Sequence, residues 1–552
     1  MKNLMSRISR AYTTTNSTKF VKGVLILVIF GLVITTFSGD STGNSGFARA
    51  EKTNLKFKSE SDKIKLATWN IAAINNNPFE YWITWNDQRY VNMMENMSKT
   101  IKEPPKILDV PVKNIFTDKM YNELEEAMKT AGFIDLDKVR NYWEKEYKNR
   151  KILSEFIKDS VIGKKRLASM PDRVTNTIEM GKNKIIYRPT VINCYDKDLN
   201  SIDEWWKQWK SFVFGSSNNI YKMFKPIKKS KYPTITTDEA AVSLPLQTLC
   251  LAIFDATLVH VMNYLAPSAW QPLRKQLCHD LNIKKSHRTV EILENSYSDS
   301  EVIFLQEVGK AFVASANSSS RFMQNYVIHT PINADPNRDQ NSLIVVHRHC
   351  FENIKDVTLD VLATIGGKSV PVAPGDLIVL TATRNSDNVK YILASFHGDT
   401  NGLATKPIVQ AVHDYALNTK PDHKLLFGMD ANTYAHPEKD QQGVTDFAEF
   451  YTKQKLNSCY GPKPDPENFT TFHARTYLQP QLNKAIAYSE RDKKGDKNPK
   501  DFIVFFASDF KVDTVVKDNT GEKKYIEGMV FPTLNFPSDH GVTSTILIPT
   551  KT

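Results

Sequence analysis

Six short apolar runs along the chain each begin or end on a fixed polar side chain. Four carry it at the end: Lys65–Asn70, Val302–Glu307, Tyr391–His397 and Leu425–Asp430. Two carry it at the start: Asp501–Phe506, and Asp539-His540 followed by the β-branched run Gly541–Ile548. Short runs rich in Val, Ile and Phe predict strands buried on both faces. Asn70, Glu307, His397 and Asp430 then lie at C-terminal strand ends, and Asp501 and Asp539-His540 at N-terminal ends. If the last two strands run antiparallel to the first four, all these groups meet on one edge. Asp430 and Asn432, two residues apart, share one side of an extended chain. Further strands are predicted over 341–347 and 376–383.

Between Asn70 and Glu307 the period changes. Apolar positions at helical spacing predict helices over 118–129, 137–148 and 152–162. Residues 243–266 are apolar enough for a packed helix or pair, and 283–295 predict a helix leading into the Glu307 strand. Residues 85–280 therefore read as a mainly helical insertion in a domain spanning 63–552. Upstream, Lys2, Arg7, Arg10, Lys19 and Lys22 precede an apolar stretch. The expectation is a basic tail over 1–22, a transmembrane signal-anchor over 23–38 and a flexible linker over 39–62. The positive flank would stay cytosolic, with the catalytic domain lumenal or extracellular. The protein would be secreted if the segment is cleaved, as Ala48-Arg49-Ala50 would permit.

The chain has 552 residues, 41% hydrophobic and 24% charged, which fits a globular protein and excludes a disordered or fibrous one. Its net charge of +11 favours anionic partners. Residues 151–231 hold 17 basic and 8 acidic residues, with Trp205, Trp206, Trp209, Phe212 and Phe224 interleaved among lysines. Such a segment can stack bases, sit at a membrane interface, or form a local core under a solvated lysine face. The five cysteines have no paired spacing and read as buried small hydrophobes, neither a zinc site nor a disulfide framework.

A cluster of carboxylates, asparagines and two histidines on strand ends suits a hard divalent cation and proton transfer. The loop Gly398–Gly402 has small residues through which backbone could approach a phosphate. Arg475 and Lys484 are placed for an anionic substrate. The lysine-rich 491–500 segment reads as a solvated loop.

Trp69-Asn70, Leu305-Gln306-Glu307, His397, Asp430-Ala431-Asn432, Asp501 and Ser538-Asp539-His540, in that order, resemble the endonuclease/exonuclease/phosphatase superfamily of DNase I-like proteins. The resemblance covers residues 63–80 and 283–552 and leaves out the insertion. It implies an α/β fold, a four-layer α/β sandwich of two packed mixed β-sheets with the site at one edge. It implies that Glu307 binds Mg²⁺ or Mn²⁺ with Asn70 and Asp539 nearby. Asp430 would orient or activate water, Asn432 would hold the scissile phosphate, His540 oriented by Asp501 would assist proton transfer, and His397 would support the phosphate or leaving group. Two departures leave the substrate open. Asp430-Ala-Asn432-Thr-Tyr lacks the continuation of inositol polyphosphate 5-phosphatases, and Gly309-Lys310 replaces an arginine of the DNase I branch. The implied activity is metal-dependent phosphodiester hydrolysis on nucleic acid or a phospholipid headgroup, and the expected N-terminal anchor would hold it at a membrane. The alternative is a catalytically silent DNase I-like binding module at a membrane.

Overall fold

The computed structural model describes residues 62–550 apart from 166, 168–177, 180–184, 216–219, 336–337, 366–369 and 371. They belong to one compact unit, Phe57–Thr552. The expected basic tail and signal-anchor, and all of the linker but its last residue, lie outside the described residues.

Twelve strands build the two large sheets: β1 (Ile64–Asn70), β2 (Val302–Val308), β3 (Tyr326–His329), β4 (Asn341–His347), β5 (Phe351–Asp356), β6 (Leu377–Arg384), β7 (Lys390–His397), β8 (His423–Asp430), β9 (Leu456–Ser458), β10 (Asp501–Phe506), β11 (Phe510–Asp518) and β12 (Val542–Pro549). They form two six-stranded mixed sheets, ordered β11-β12-β1-β2-β4-β3 and β9-β10-β8-β7-β6-β5. Each sheet has one parallel pair at its centre, β1 with β2 and β7 with β8. Each pair is flanked by an antiparallel late strand, β12 beside β1 and β10 beside β8. This is the arrangement the run-end pattern requires.

Successive side chains alternate between faces, so each strand feeds two cores. Leu66, Phe304, Ile344 and Leu547 of one sheet meet Leu380, Leu393, Leu426 and Ile503 of the other. On the outer face of the first sheet, Ala67, Trp69, Ile303 and Leu305 pack in a second core with the intervening helices. The outer face of the second sheet is covered by residues such as Ile408, Val412 and Phe447. Burying each such aliphatic side chain contributes about 1.5–3 kcal/mol. The sheets approach so closely at Gly428 that a Cβ there would lie 2.4 Å from Phe304. The result is the four-layer α/β sandwich of two packed mixed sheets.

Between β1 and β2 lie α1 (Gln88–Lys102), α2 (Asp118–Thr130), α3 (Ile202–Phe214), α4 (Ser243–Leu265), α5 (Trp270–Cys278) and α6 (Lys285–Ser296). The expected helix over 137–148 stops at Tyr142 and continues as a wider π turn through Tyr147, and 152–162 is likewise split. Helix α4 is long and apolar enough to cross a membrane, yet 89% of its apolar window is buried inside the protein. Its Asp255 is paired with buried Arg188 at 3.0 Å and accepts from Trp209 Nε1 at 2.9 Å.

Trp205, Trp206, Trp209, Phe212 and Phe224 are buried while Lys207, Lys225 and Lys228 are exposed. Of the three readings of this segment, the local core under a lysine face is the one realised. The cysteine expectation needs correction. Cys194 and Cys278 form a disulfide with Cα atoms 5.3 Å apart. Their separation of 84 residues hid the pair from a reading by spacing. Cys250, Cys350 and Cys459 are free and buried, as expected.

Closing a loop of this length restricts the unfolded chain. Replacing Cys194 and Cys278 by serine should lower the unfolding free energy by about 2–4 kcal/mol. Equal denaturation midpoints for variant and wild type under non-reducing conditions would contradict a stabilising crosslink.

Candidate active site

The parallel pairs bring Asn70 level with Gln306, and His397 level with Asp430; the antiparallel neighbour brings Asp501 opposite Asp430. The strand ends of both sheets thus share one edge. Glu307 sits at an irregularity in the β2–β4 ladder with φ +53°. A left-handed glutamate is costly, and here it turns the carboxylate out of the strand towards β1. Asn432 has φ +48°, a conformation asparagine tolerates better than most residues.

Asn70 is the hub. Its Nδ2 donates to Glu307 Oε1 at 3.2 Å and to Asp430 Oδ2 at 2.9 Å, while its Oδ1 accepts from the Ala72 N–H at 2.9 Å. The network fixes the amide orientation: a backbone donor needs the oxygen, and two carboxylates need the nitrogen. Asn70, expected beside the cation, therefore orients the acids and offers them its nitrogen. Glu307 is further held by the Ala73 N–H at 2.8 Å.

His540 donates from Nδ1 to Asp501 Oδ2 at 3.0 Å, and its Nε2 faces Asp430 Oδ2 at 3.7 Å. Thr470 donates to the same Asp501 oxygen at 2.6 Å. Ser538 donates to Asn70 O at 2.6 Å and accepts from the His540 N–H at 3.0 Å, and Trp69 Nε1 donates to His540 O at 2.9 Å. His397 Nε2 lies 3.5 Å from Asp430 and 3.6 Å from Glu307. Asn432 donates its N–H to Asp430 Oδ1 at 2.9 Å, and its Nδ2 is buried without a partner, as is His397 Nδ1.

Burial alone would lower the His540 pKa, but the Asp501, Asp430 and Asp539 carboxylates outweigh it and push it up to about 10. Burial works against ionising Asp430, yet His540, His397 and Lys500 hold its carboxyl below the usual range. Asp539 is likewise held low against burial by His540, His473 and Lys285. The ligand atoms of Asp430, Asp501 and His540 lie within 4.8 Å of one another, close enough to hold an ion. His540 Nδ1 is taken up by Asp501, so this trio is also arranged for proton transfer. Glu307 and Asp539, whose oxygen donors suit a hard cation, both line a cavity of about 560 Å³.

Three groups were not singled out from the sequence. His473 Nε2 lies 3.1 Å from Asp496 and 3.7 Å from Asp539. Lys500 is buried with its Nζ 3.7 Å from Asp496. Both acid and lysine belong to 491–500, so the end of that segment is a buried site wall, contrary to the expected solvated loop. Asp496–Asn498 pairs as a short strand with Thr471–His473, which brings these charges inward. Lys285 lines the cavity and donates to Pro537 O at 2.9 Å; burial lowers its pKa to about 8 despite Asp539 and Glu307.

Other expected positions fall differently. Arg475 lines the cavity but is paired with Glu80. Lys484 is exposed on a turn at the cavity rim, away from the Asp430–His540 cluster. A Cβ on Gly402 would lie 2.6 Å from Asn432 O, so the close approach is to the strand end carrying Asp430 and Asn432.

A family model described as a domain of unknown function, DUF8234, matches residues 109–275. No curated protein matches the chain. Among solved structures it is similar to D. rerio TDP2 complexed with single strand DNA product, at 11% identity over 48% of this chain and 90% of that one, TM-score 0.30. It is similar to the human Nocturnin catalytic domain with bound sulfate anion, at 13% identity over 49% and 89%, TM-score 0.32. It is also similar to an endonuclease/exonuclease/phosphatase family protein from Bacteroides thetaiotaomicron, at 13% identity over 49% and 90%, TM-score 0.31.

The raised His540 pKa makes a pH prediction. A histidine charged in the fold stabilises fully below its unfolded pKa, about 6.5, and that contribution is lost as pH rises through about 10. In EDTA, wild-type stability should fall more between these values than that of His540→Gln, measured by urea unfolding. Parallel pH profiles would contradict a His540 held charged by Asp501.

Proposed function

We propose that this chain is a metal-dependent phosphoester hydrolase, acting as a phosphodiesterase on nucleic acid or a phospholipid by water attack on phosphorus. The observation that carries the reading is the meeting of Asn70, Glu307, Asp430, Asn432 and His540 at the shared edge of two sheets, beside a cavity. A divalent cation, Mg²⁺ or Mn²⁺, held by Glu307 and Asp539 would neutralise charge growing on the phosphoryl oxygens. The remaining work falls to this chain's own groups. Asp430, kept ionised, aligns water and accepts its proton. His540, kept protonated by Asp501, donates to a phosphoryl oxygen. The unpartnered donor Asn432 Nδ2 is suited to a phosphate, since buried donors without acceptors are costly, and His397 Nδ1 donates likewise when the ring is protonated. Arg475 and Lys484 contribute positive charge at the cavity.

The location proposed is a single-pass membrane protein with this domain on the lumenal or extracellular side. The Cys194–Cys278 disulfide supports an oxidising compartment.

Hydrolysis of a phosphodiester panel should require Mg²⁺ or Mn²⁺ and stop with EDTA. Glu307→Gln and Asp430→Asn should each lower kcat by about 10²–10³-fold or more with the fold intact. Metal-independent turnover, or full activity of Glu307→Gln at saturating metal, would contradict the assignment. No hydrolysis of any phosphoester would favour the silent binding module.

A further inference from the structure

The cavity beside the site has two unlike walls. One is the catalytic edge, with Glu307, Asp539 and Lys285. The other comes from the chain between β1 and α6: Ile192, Leu277, Leu281 and the Cys194–Cys278 disulfide. This second wall is firmly tied. Asn282 Nδ2 donates to Asn75 O at 3.1 Å and Asn76 Oδ1 at 2.9 Å, in the loop after β1. Arg274, fully buried, donates to Thr190 O and Lys197 O, both at 3.0 Å.

The side-chain charges of the lining balance, so a cation at Glu307 and Asp539 would add positive charge at one point only. Lys285, Arg475 and Lys484 stand against Glu80, Glu307 and Asp539, and Arg475 is already paired with Glu80. A groove that tracks a polynucleotide carries successive cations for successive phosphates and several aromatic platforms for the bases, whereas this lining has, among the described residues, one aromatic, Tyr81, whose ring is met by Arg475 at 5.3 Å. A volume of about 560 Å³ falls in the range of small-molecule sites, and its lining mixes polar Gln340 and Asn75 with apolar Ile192 and Leu281.

We infer that the preferred substrate is a phosphodiester whose one ester group is a single compact, hydroxyl- or amide-bearing organic unit, seated against the Ile192–Leu281 wall. A length of polynucleotide is not the substrate. The inference rests on the hydrolase reading above and narrows it, and it makes Leu281 a specificity-determining residue. A soluble small diester and a phospholipid headgroup present the same chemistry to this wall.

The test uses the full chain with Mn²⁺ and five substrates. These are methyl p-nitrophenyl phosphate as the minimal ester, thymidine 5′-p-nitrophenyl phosphate, phosphatidylglycerol vesicles, a long single-stranded oligonucleotide and its duplex. Compact diesters, soluble or in vesicles, should exceed the polynucleotides in kcat/KM per scissile bond by about tenfold or more. Preference between the soluble and vesicle arms identifies the source, and either supports the inference. Leu281→Trp should lower kcat/KM for the thymidine ester about tenfold more than for the methyl ester. Leu281→Ala, which enlarges the cavity, should shift the ratio towards the bulkier ester. Faster cleavage of polynucleotide, or equal losses on both esters with no shift in Leu281→Ala, would overturn the inference while leaving the hydrolase reading standing. Hydrolysis of none of the five would overturn both.

Discussion

The Asn70 side chain joins groups that belong to different sheets. Glu307 stands at the end of β2 in the first sheet and Asp430 at the end of β8 in the second, and one amide nitrogen bonds both. Two carboxylates brought this close repel unless something lies between them. The amide, His397 and His540 supply that, so the positions of the acids depend on how the sheets stack. The stacking in turn depends on close contacts such as Gly428 against Phe304. Beneath the site, Gln306 Nε2 donates to Thr68 Oγ1 at 3.2 Å and to Ser395 Oγ at 3.0 Å, carrying the same cross-sheet link one layer deeper. At the far end Arg384 of β6 bonds Glu301 through Nε at 2.8 Å and Nη2 at 2.6 Å, with both side chains buried. The site is thus one end of a polar seam between two apolar faces.

Much of this was legible in the chain because the signal is short-range. A run such as Leu425–Asp430 is apolar until its last residue, and a strand that emerges at a sheet edge looks like that. The direction of β10 and β12 was readable too, since their polar residues come first. What stayed hidden depends on distant pairing. His473, Asp496 and Lys500 acquire meaning only because two short strands pair across a lysine-rich loop. Cys194 and Cys278 meet through the folding of the insertion, and no spacing rule covers them. The glycines of the 398–402 loop suggested a phosphate cradle from composition alone. Gly402 instead faces the backbone that carries Asn432, since close packing of one chain segment on another demands the same small residue. The Trp205–Phe224 segment is another such case. Basic and aromatic residues interleave both at nucleic-acid surfaces and on an amphipathic helix, and burial decides between them.

The segment between β1 and β2 is not a separate appendage. Its aromatics share a core with the outer face of the first sheet, where Trp69 and Leu305 also lie. Its disulfide stands in the wall of the cavity that Glu307 and Asp539 floor. In the proposed reading the strand-end edge would supply the charges for chemistry at phosphorus, and the added wall would limit what the phosphorus can carry.

The central claim is that strand ends from both sheets surround a single cation at Glu307. A crystal of the full chain soaked in Mn²⁺, with anomalous scattering recorded, tests it directly. One strong peak about 2.1 Å from a Glu307 oxygen and beside Asp539 is the expected result. A peak between Asp430, Asp501 and His540, or no peak near Glu307, would contradict it.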